Sequence, residues 1–479
     1  MPASETRRRS DVLLVLICLA QFMVILDVSI VNVALPSIQG SLGFSDTGLQ
    51  WVVNAYTLTF AGFLMLGGRT SDLLGRRRVF LGGTALFALS SLICAVADTQ
   101  ALLIAARSLQ GIGAAIISPA SLAILTTSFS EGHERNRALG VWGAMAGLGG
   151  ASGALLGGLL TQGFGWPAVF LINVPIGTAV VYFGRSIIPT HEQLASERHF
   201  DFAGAVLVTA GLTAVVYGIV RTDTLGWGST GVLAPLAIGA ALLALFGLVE
   251  GRIARDPLIP LRVFRMPLLR AANLVVILLY SGFFAMWFFI SLYLQQVHHD
   301  DALTAGISFL PMTLSVFASS SLAPRLVERF GIRPVLTTGM VLATAGLFLL
   351  SGVSPGGSYA SAVLPGGVLA TIGLGFSLVP ATIVAVQGVP PQESGLASGI
   401  LNTSRLAGGT LGLAVLSTLA ASHTSAKLAE GSSHLAALTS GYQLAFLLGA
   451  ALSLLGAIAA ATLLSPRTFA AAAGEPEPA

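Results

Sequence analysis

Asp27 lies well inside the first long apolar run of the chain, which begins near Val12 and closes on Leu26-Asp27-Val28-Ser29-Ile30-Val31-Asn32-Val33-Ala34-Leu35-Pro36. A carboxylate inside a membrane span costs about 2.5–3.5 kcal/mol on insertion scales, so the chain must neutralise it, pair it or use it. Arg107 lies inside the fourth run and Arg405 inside the thirteenth. With a rise of about 1.5 Å per residue, Asp27 sits about 12 Å from the outer end of its run and Arg107 about 9 Å from the outer end of its own. Opposite charges at matching depth predict a pair or a shared hydrogen-bond network. The chemistry open to such a carboxylate is uptake and release of a proton in answer to Arg107 and to a solute. The alternatives are a fixed structural ion pair, or a carboxylate tied off locally by Ser29 and Asn32.

Two further clusters suit solute binding. Arg405, with Asn402 and Ser404 nearby, could receive an anionic group or cap backbone carbonyls. Phe283, Phe284, Trp287, Phe288 and Phe289 gather near the middle of the ninth run, too deep for Trp287 to be an interfacial anchor. Rings lining a cavity would suit a large lipophilic or cationic solute; packing against lipid is the alternative. The candidate solute-contacting residues are Asn32, Phe284, Trp287, Asn402 and Arg405.

The elements that carry these residues follow from composition. Of 479 residues, 54% are hydrophobic and 9% charged, against about 25% charged in soluble domains. Apolar runs recur near 12–35, 48–68, 79–97, 101–129, 139–160, 168–186, 202–221, 231–250, 271–297, 302–323, 335–352, 360–386, 395–421 and 441–464. Each approaches or exceeds the roughly 20 residues that span a bilayer. They lack the strict alternation of a barrel strand, so the chain reads as an all-α polytopic membrane protein with fourteen spans. Nearly all arginines fall in alternate connections, which places both termini on the cytoplasmic side. Trp51, Trp166 and Trp227 then mark the outer boundary. Cys18 and Cys94 fall at different depths and predict no disulfide.

The chain repeats itself. Gly68-Arg69-Thr70-Ser71-Asp72-Leu73-Leu74-Gly75-Arg76-Arg77 aligns with 323–333, setting Gly75 on Gly331, Asp72 on Glu328 and Arg77 on Arg333. Gly149-x-x-x-Gly153 matches Gly408-x-x-x-Gly412 at nearly the same offset. Spans 1–6 and 9–14 are therefore two copies of one unit, a transporter architecture. The expected organisation is an N-terminal bundle over 1–190, a two-span insert over 191–269, a C-terminal bundle over 270–465 and a cytoplasmic tail over 466–479. The short charged segment Gly68, Asp72, Gly75, Arg76, Arg77, with its echo Glu328, Gly331, Arg333, could latch and release helix ends, Gly75 supplying a left-handed turn. In span 5, Gly149, Gly153, Gly157 and Gly158 let backbones touch. No metal-ligand spacing, phosphate-binding loop or nucleophile–base arrangement is present, and the scattered arginines form no nucleic-acid patch. The energy source expected is a proton gradient, with no cofactor.

These motifs together resemble the major facilitator superfamily, and within it the fourteen-span drug:proton antiporters. The first-span motif around Asp27, the inner-loop motif Gly68–Arg78, Arg107-x-x-Gln110-Gly111-x-Gly113 in span 4, Gly149-x-x-x-Gly153-Ala154-x-x-Gly157-Gly158 in span 5, Phe170–Gly177 and Asn402-Thr403-Ser404-Arg405 carry the resemblance. It implies the major facilitator fold, two six-helix bundles plus two inserted helices, and proton-coupled export of drugs, antibiotics or similar solutes by a non-enzymatic, monomeric carrier. In that reading Asp27 and Arg107 couple protons, 68–77 and 328–333 gate, and the span-5 glycines form the antiporter motif. A carrier of a metabolite or nutrient stays open as the alternative. The abundance of Ala, Gly, Leu and Arg against a single lysine, Lys427, fits a GC-rich bacterial genome and hence the inner membrane.

Overall fold

The computed structural model describes residues 3–130, 133–189, 201–254, 257–259, 266–387, 389 and 394–464. Every regular element among them is helical. Fourteen helices are long and apolar enough to cross a membrane: Ser10–Leu42, Asp46–Ser71, Arg76–Ala95, Gln100–Ser128, Arg137–Phe164, Ala168–Ile187, Phe202–Val220, Thr230–Ile253, Pro267–Val297, Ala302–Phe330, Ile332–Leu350, Tyr359–Val386, Leu396–Ala429 and His434–Leu463, here spans 1 to 14 in order. The chain is a multi-pass membrane protein. Each span matches one apolar run, and several continue past the run. Span 1 carries on through Pro36 to Leu42. Hydropathy marks where the hydrocarbon ends, whereas the helix ends where its backbone hydrogen bonds do. Cys18 and Cys94 are both buried free thiols.

The helices gather into two compact units. One comprises Met1–Phe44, Trp51–Thr209 and Asp301–Ile307; the other comprises Ser45–Gln50, Ala210–Asp300 and Ser308–Ala479. Within the first, span 5 lies along span 1 and span 4 is wedged between spans 2 and 3. Small residues set these approaches. A Cβ on Gly67 would fall 2.2 Å from the Ala115 carbonyl oxygen, and one on Gly111 would fall 2.3 Å from that of Tyr56. In lipid there is no hydrophobic drive between helices, so close backbone packing of this kind supplies the contact energy. Within the second unit, span 13 lies along span 9 and span 11 along span 12. Spans 7 and 8 pair around Gly211 and Gly239, where a Cβ on Gly239 would come within 2.6 Å of Val215. Span 8 is little buried, with Leu233 and Ile238 exposed, so most of this helix is left for lipid.

The tail 466–479 and the connection 190–200 lie outside the described residues.

Candidate functional site

Asp27 is fully buried, and donors from two other spans converge on it. Arg107 Nη1 donates to Oδ2 at 2.5 Å. Gln110 Nε2 donates to Oδ1 at 2.7 Å, and Asn173 Nδ2 donates to the same oxygen at 3.0 Å. Arg107, itself 1% exposed, also donates from Nε to the Val52 carbonyl at 2.9 Å and from Nη1 to Gln110 Oε1 at 2.6 Å. Its guanidinium carbon sits 4.4 Å from the centre of the Tyr56 ring and 5.6 Å from that of Phe170. Gln110 is engaged at both ends, its Nε2 donating to Ser91 Oγ at 2.7 Å as well. The network therefore draws on spans 1, 2, 3, 4 and 6.

Local structure explains the convergence. Arg107 and Gln110 are three residues apart and so share one face of span 4. Span 6 breaks at Ile172 between the helices Ala168–Leu171 and Asn173–Ile187, and Asn173 opens the second. The two other residues that could have satisfied Asp27 locally bond to backbone. Ser29 Oγ donates to the Gly150 carbonyl at 2.8 Å, and Asn32 Nδ2 donates to the Val28 carbonyl at 2.9 Å. One cation and two amide donors thus occupy both oxygens of this buried carboxylate.

Span 5 closes over this region with its glycines. A Cβ on Gly149 would fall 2.8 Å from Ile25, one on Gly153 would fall 2.5 Å from Ser29, and one on Gly157 would fall 2.8 Å from the Ile30 carbonyl. The three thus face span 1 on either side of Asp27, while Gly158 faces span 10 at the Ala302 carbonyl, 2.6 Å away. The second unit repeats the pattern. Gly408 and Gly412 lie against Ile277 and Ser281, and Ser281 Oγ donates to the Gly408 carbonyl at 2.9 Å, as Ser29 does to Gly150. Setting Ser281 on Ser29 puts Leu279 where the first unit has Asp27.

The inner-loop motif and its echo share a turn. Gly75 has φ +92° and Gly331 φ +86°, each ending one helix and opening the next. Arg333 donates to the Ala461 carbonyl at 2.6 Å, tying that turn to the end of span 14. Arg76 and Arg77 are half-buried and Glu328 is exposed. The Asp72 side chain lies outside the described residues. Gly68 does not make the tight approach of span 2 to span 4, which falls one residue earlier. A Cβ at 68 would meet Pro119 at an ordinary 3.6 Å, whereas Gly67 is in backbone contact with Ala115.

The aromatic cluster of span 9 divides by face. Phe283, Phe288 and Phe289 are core, with Phe289 against Tyr442 and Phe446. Phe284 and Trp287 are half-buried on another face, Trp287 against Phe309 at 5.0 Å between ring centres. Tyr280, one turn before Phe284, joins them and carries Arg405, whose guanidinium carbon is 4.7 Å from the Tyr280 ring centre. Arg405 Nη1 donates to Asn402 Oδ1 at 2.9 Å. Asn32, also among the candidate contacts, is half-buried in span 1.

Sequence reasoning paired Asp27 with Arg107 but left Gln110, Asn173, Tyr56 and Tyr280 unassigned. The i, i+3 spacing to Arg107 was a signal for Gln110. Tyr280 stood one turn from Phe284. Asn173 stood within Phe170–Gly177 but nothing local tied it to Asp27, because that partner comes from span 1.

The sequence profile of the Major Facilitator Superfamily matches residues 17–413. The chain belongs to this superfamily of membrane transporters. Among relatives, a cephamycin export protein of Amycolatopsis lactamdurans is 43% identical over 439 residues, covering 90% of each chain. A puromycin resistance protein of Streptomyces alboniger is 38% identical over 465 residues, 96% of this chain and 92% of its own. A tetracenomycin C resistance and export protein of Streptomyces glaucescens is 34% identical over 421 residues, 88% of this chain and 78% of its own. Among solved structures, a bacterial homologue of the lysosomal transporter Spinster superposes with a TM-score of 0.69 at 16% identity, covering 98% of this chain and 99% of its own. At that identity the likeness concerns the major facilitator fold alone.

Proposed function

We propose that this major facilitator protein exports an antibiotic-like, lipophilic solute across the bacterial inner membrane in exchange for protons, with both termini cytoplasmic. It does so as a carrier, with no cofactor and no covalent step. The observation that carries the reading is the fully buried Asp27 with its three donors, inside a span where an acid is otherwise costly. The names of the relatives, which concern export of and resistance to antibiotics, support the direction and the class of solute.

The coupling follows from the chemistry of the pair. A proton on Asp27 cancels its attraction for Arg107, which keeps its bonds to the Val52 carbonyl and Gln110. Span 1 is then held to span 5 by the close approach at Gly149, Gly153 and Gly157 and by the Ser29–Gly150 hydrogen bond, and a seam of small residues of this kind can slide. Entry of solute from the cytoplasm or the inner leaflet favours loss of the proton, and alternation of the two protonation states drives the cycle. The turns at Gly75 and Gly331 act as gates on the cytoplasmic side.

The test is uptake of labelled puromycin into inside-out vesicles under an imposed pH gradient. Asp27→Asn is expected to abolish gradient-driven accumulation while insertion and solute exchange at equal pH persist. Unchanged accumulation by Asp27→Asn would refute the reading.

A further inference from the structure

Two arginines that lie well inside their spans, away from the ends, differ in one respect. Arg107 faces a carboxylate of its own unit, whereas Arg405 faces an aromatic ring and an amide. Glu328, at the end of span 10, is the only acid within spans 9–14. Tyr280 lies near the middle of span 9, a 31-residue helix, so the Arg405 guanidinium stacked on it stands near mid-membrane height. No carboxylate of its own unit lies at that depth.

Three details shape this cation into a receptor. Its Nε is buried and has no partner among the described residues. Its Nη1 is held by Asn402, which fixes the plane of the fork. Its remaining surface is open, since Arg405 is half-buried. An arginine at this height cannot present that surface to hydrocarbon, so it borders an aqueous cavity. The wall beside it is aromatic. Phe284 packs edge-on to Tyr280 at 6.0 Å, and Gly409 lets the Phe284 ring lie flush on span 13, because a Cβ there would fall 2.6 Å from the ring. A planar fork with an open edge beside an apolar wall fits a carboxylate attached to a ring system.

We propose that Arg405, backed by Asn402, Tyr280 and Phe284, is the subsite for a carboxylate on the transported solute, so that this transporter prefers aromatic or polycyclic acids over their neutral esters. The proposal deepens the export reading above and depends on it only for flux. Its test is equilibrium binding, by fluorescence polarisation, of 7-(diethylamino)coumarin-3-carboxylic acid and of its neutral methyl ester to the purified full-length protein in detergent. The free acid is expected to bind about tenfold or more tighter than the ester. Arg405→Gln removes that difference by lowering the affinity for the acid to that for the ester; Arg405→Lys keeps the charge without the fork and retains part of the preference. Equal affinities in the unaltered protein, absence of binding by the free acid, or a preference that survives Arg405→Gln overturns the proposal. Flux of the two dyes in proteoliposomes is read separately: selective binding without flux counts against export and leaves the carboxylate subsite standing.

Discussion

Neutralising one partner of the Asp27–Arg107 pair should cost far more than neutralising both. In Asp27→Asn the new amide must place its N–H toward existing donors. If its oxygen keeps Arg107, its nitrogen meets Gln110 Nε2 and Asn173 Nδ2; if its oxygen keeps those two, its nitrogen meets Arg107. Gln110 cannot turn to help, because its Oε1 already accepts from Arg107 and Cys94. Asn173 can, since its Oδ1 is buried without a partner, and that turn recovers about 1 kcal/mol. The uncompensated Arg107 dominates, and breaking a buried pair from one side costs about 3–5 kcal/mol. Arg107→Gln leaves the opposite charge stranded and should cost a similar amount. In the double variant Asp27→Asn/Arg107→Gln no charge remains, and two amides can bond each other. The protein contains its own unfolding reporter, because Cys18 and Cys94 are free and buried. A thiol-reactive fluorophore followed through a thermal ramp in detergent therefore reads the midpoint of each variant. Both single variants should melt well below the parent and the double variant above either single one. A double variant that melts lower still, by the sum of the two single losses, would refute a coupled pair. Gradient-driven transport should be absent from all three, which separates the proton-carrying role from stability.

Other consequences are as definite. Gly153→Ala and Gly412→Ala push a methyl group into Ser29 and Ser281 and should each lower the thermal midpoint by about 1–3 kcal/mol of stability, while Gly68→Ala, with an ordinary contact to Pro119, should stay within about 0.5 kcal/mol. Gly75→Ala and Gly331→Ala force a side chain into a left-handed backbone and should cost about 1–2 kcal/mol each, read in the same assay. At the start of span 10, Asp301 Oδ1 accepts from the Thr304 backbone N–H at 2.7 Å and holds this carboxyl below its ordinary 3.8; Gln162 donates to Oδ2. A lowered acid contributes its stability above its unfolded value and loses it as pH falls through the folded one. The difference in thermal midpoint between the parent and Asp301→Asn, followed by tryptophan fluorescence, should therefore be unchanged from neutral pH down to about 4 and shrink only below it; a difference lost near neutrality would contradict the assignment.

The sequence by itself determined the membrane class, the fourteen spans and the repeat of the six-span unit. It also determined the matching depth of Asp27 and Arg107. These are set by quantities that act along the chain: the length of an apolar run against the thickness of hydrocarbon, and the cost of an ion within it. The tertiary structure decided which side of each span meets protein. In a soluble helix the polar face announces the answer, but a span is apolar on its lipid face and on its packed face alike. For that reason the division of the span-9 aromatics into core Phe283, Phe288 and Phe289 and half-buried Phe284 and Trp287 could not be read from spacing. For the same reason Asn173, far from Asp27 in the chain, entered its hydrogen-bond shell only through the packing of span 6 against span 1. The glycine stripe of span 5 was visible as a pattern of small residues; that it lies on both sides of Asp27 was settled by which two helices touch.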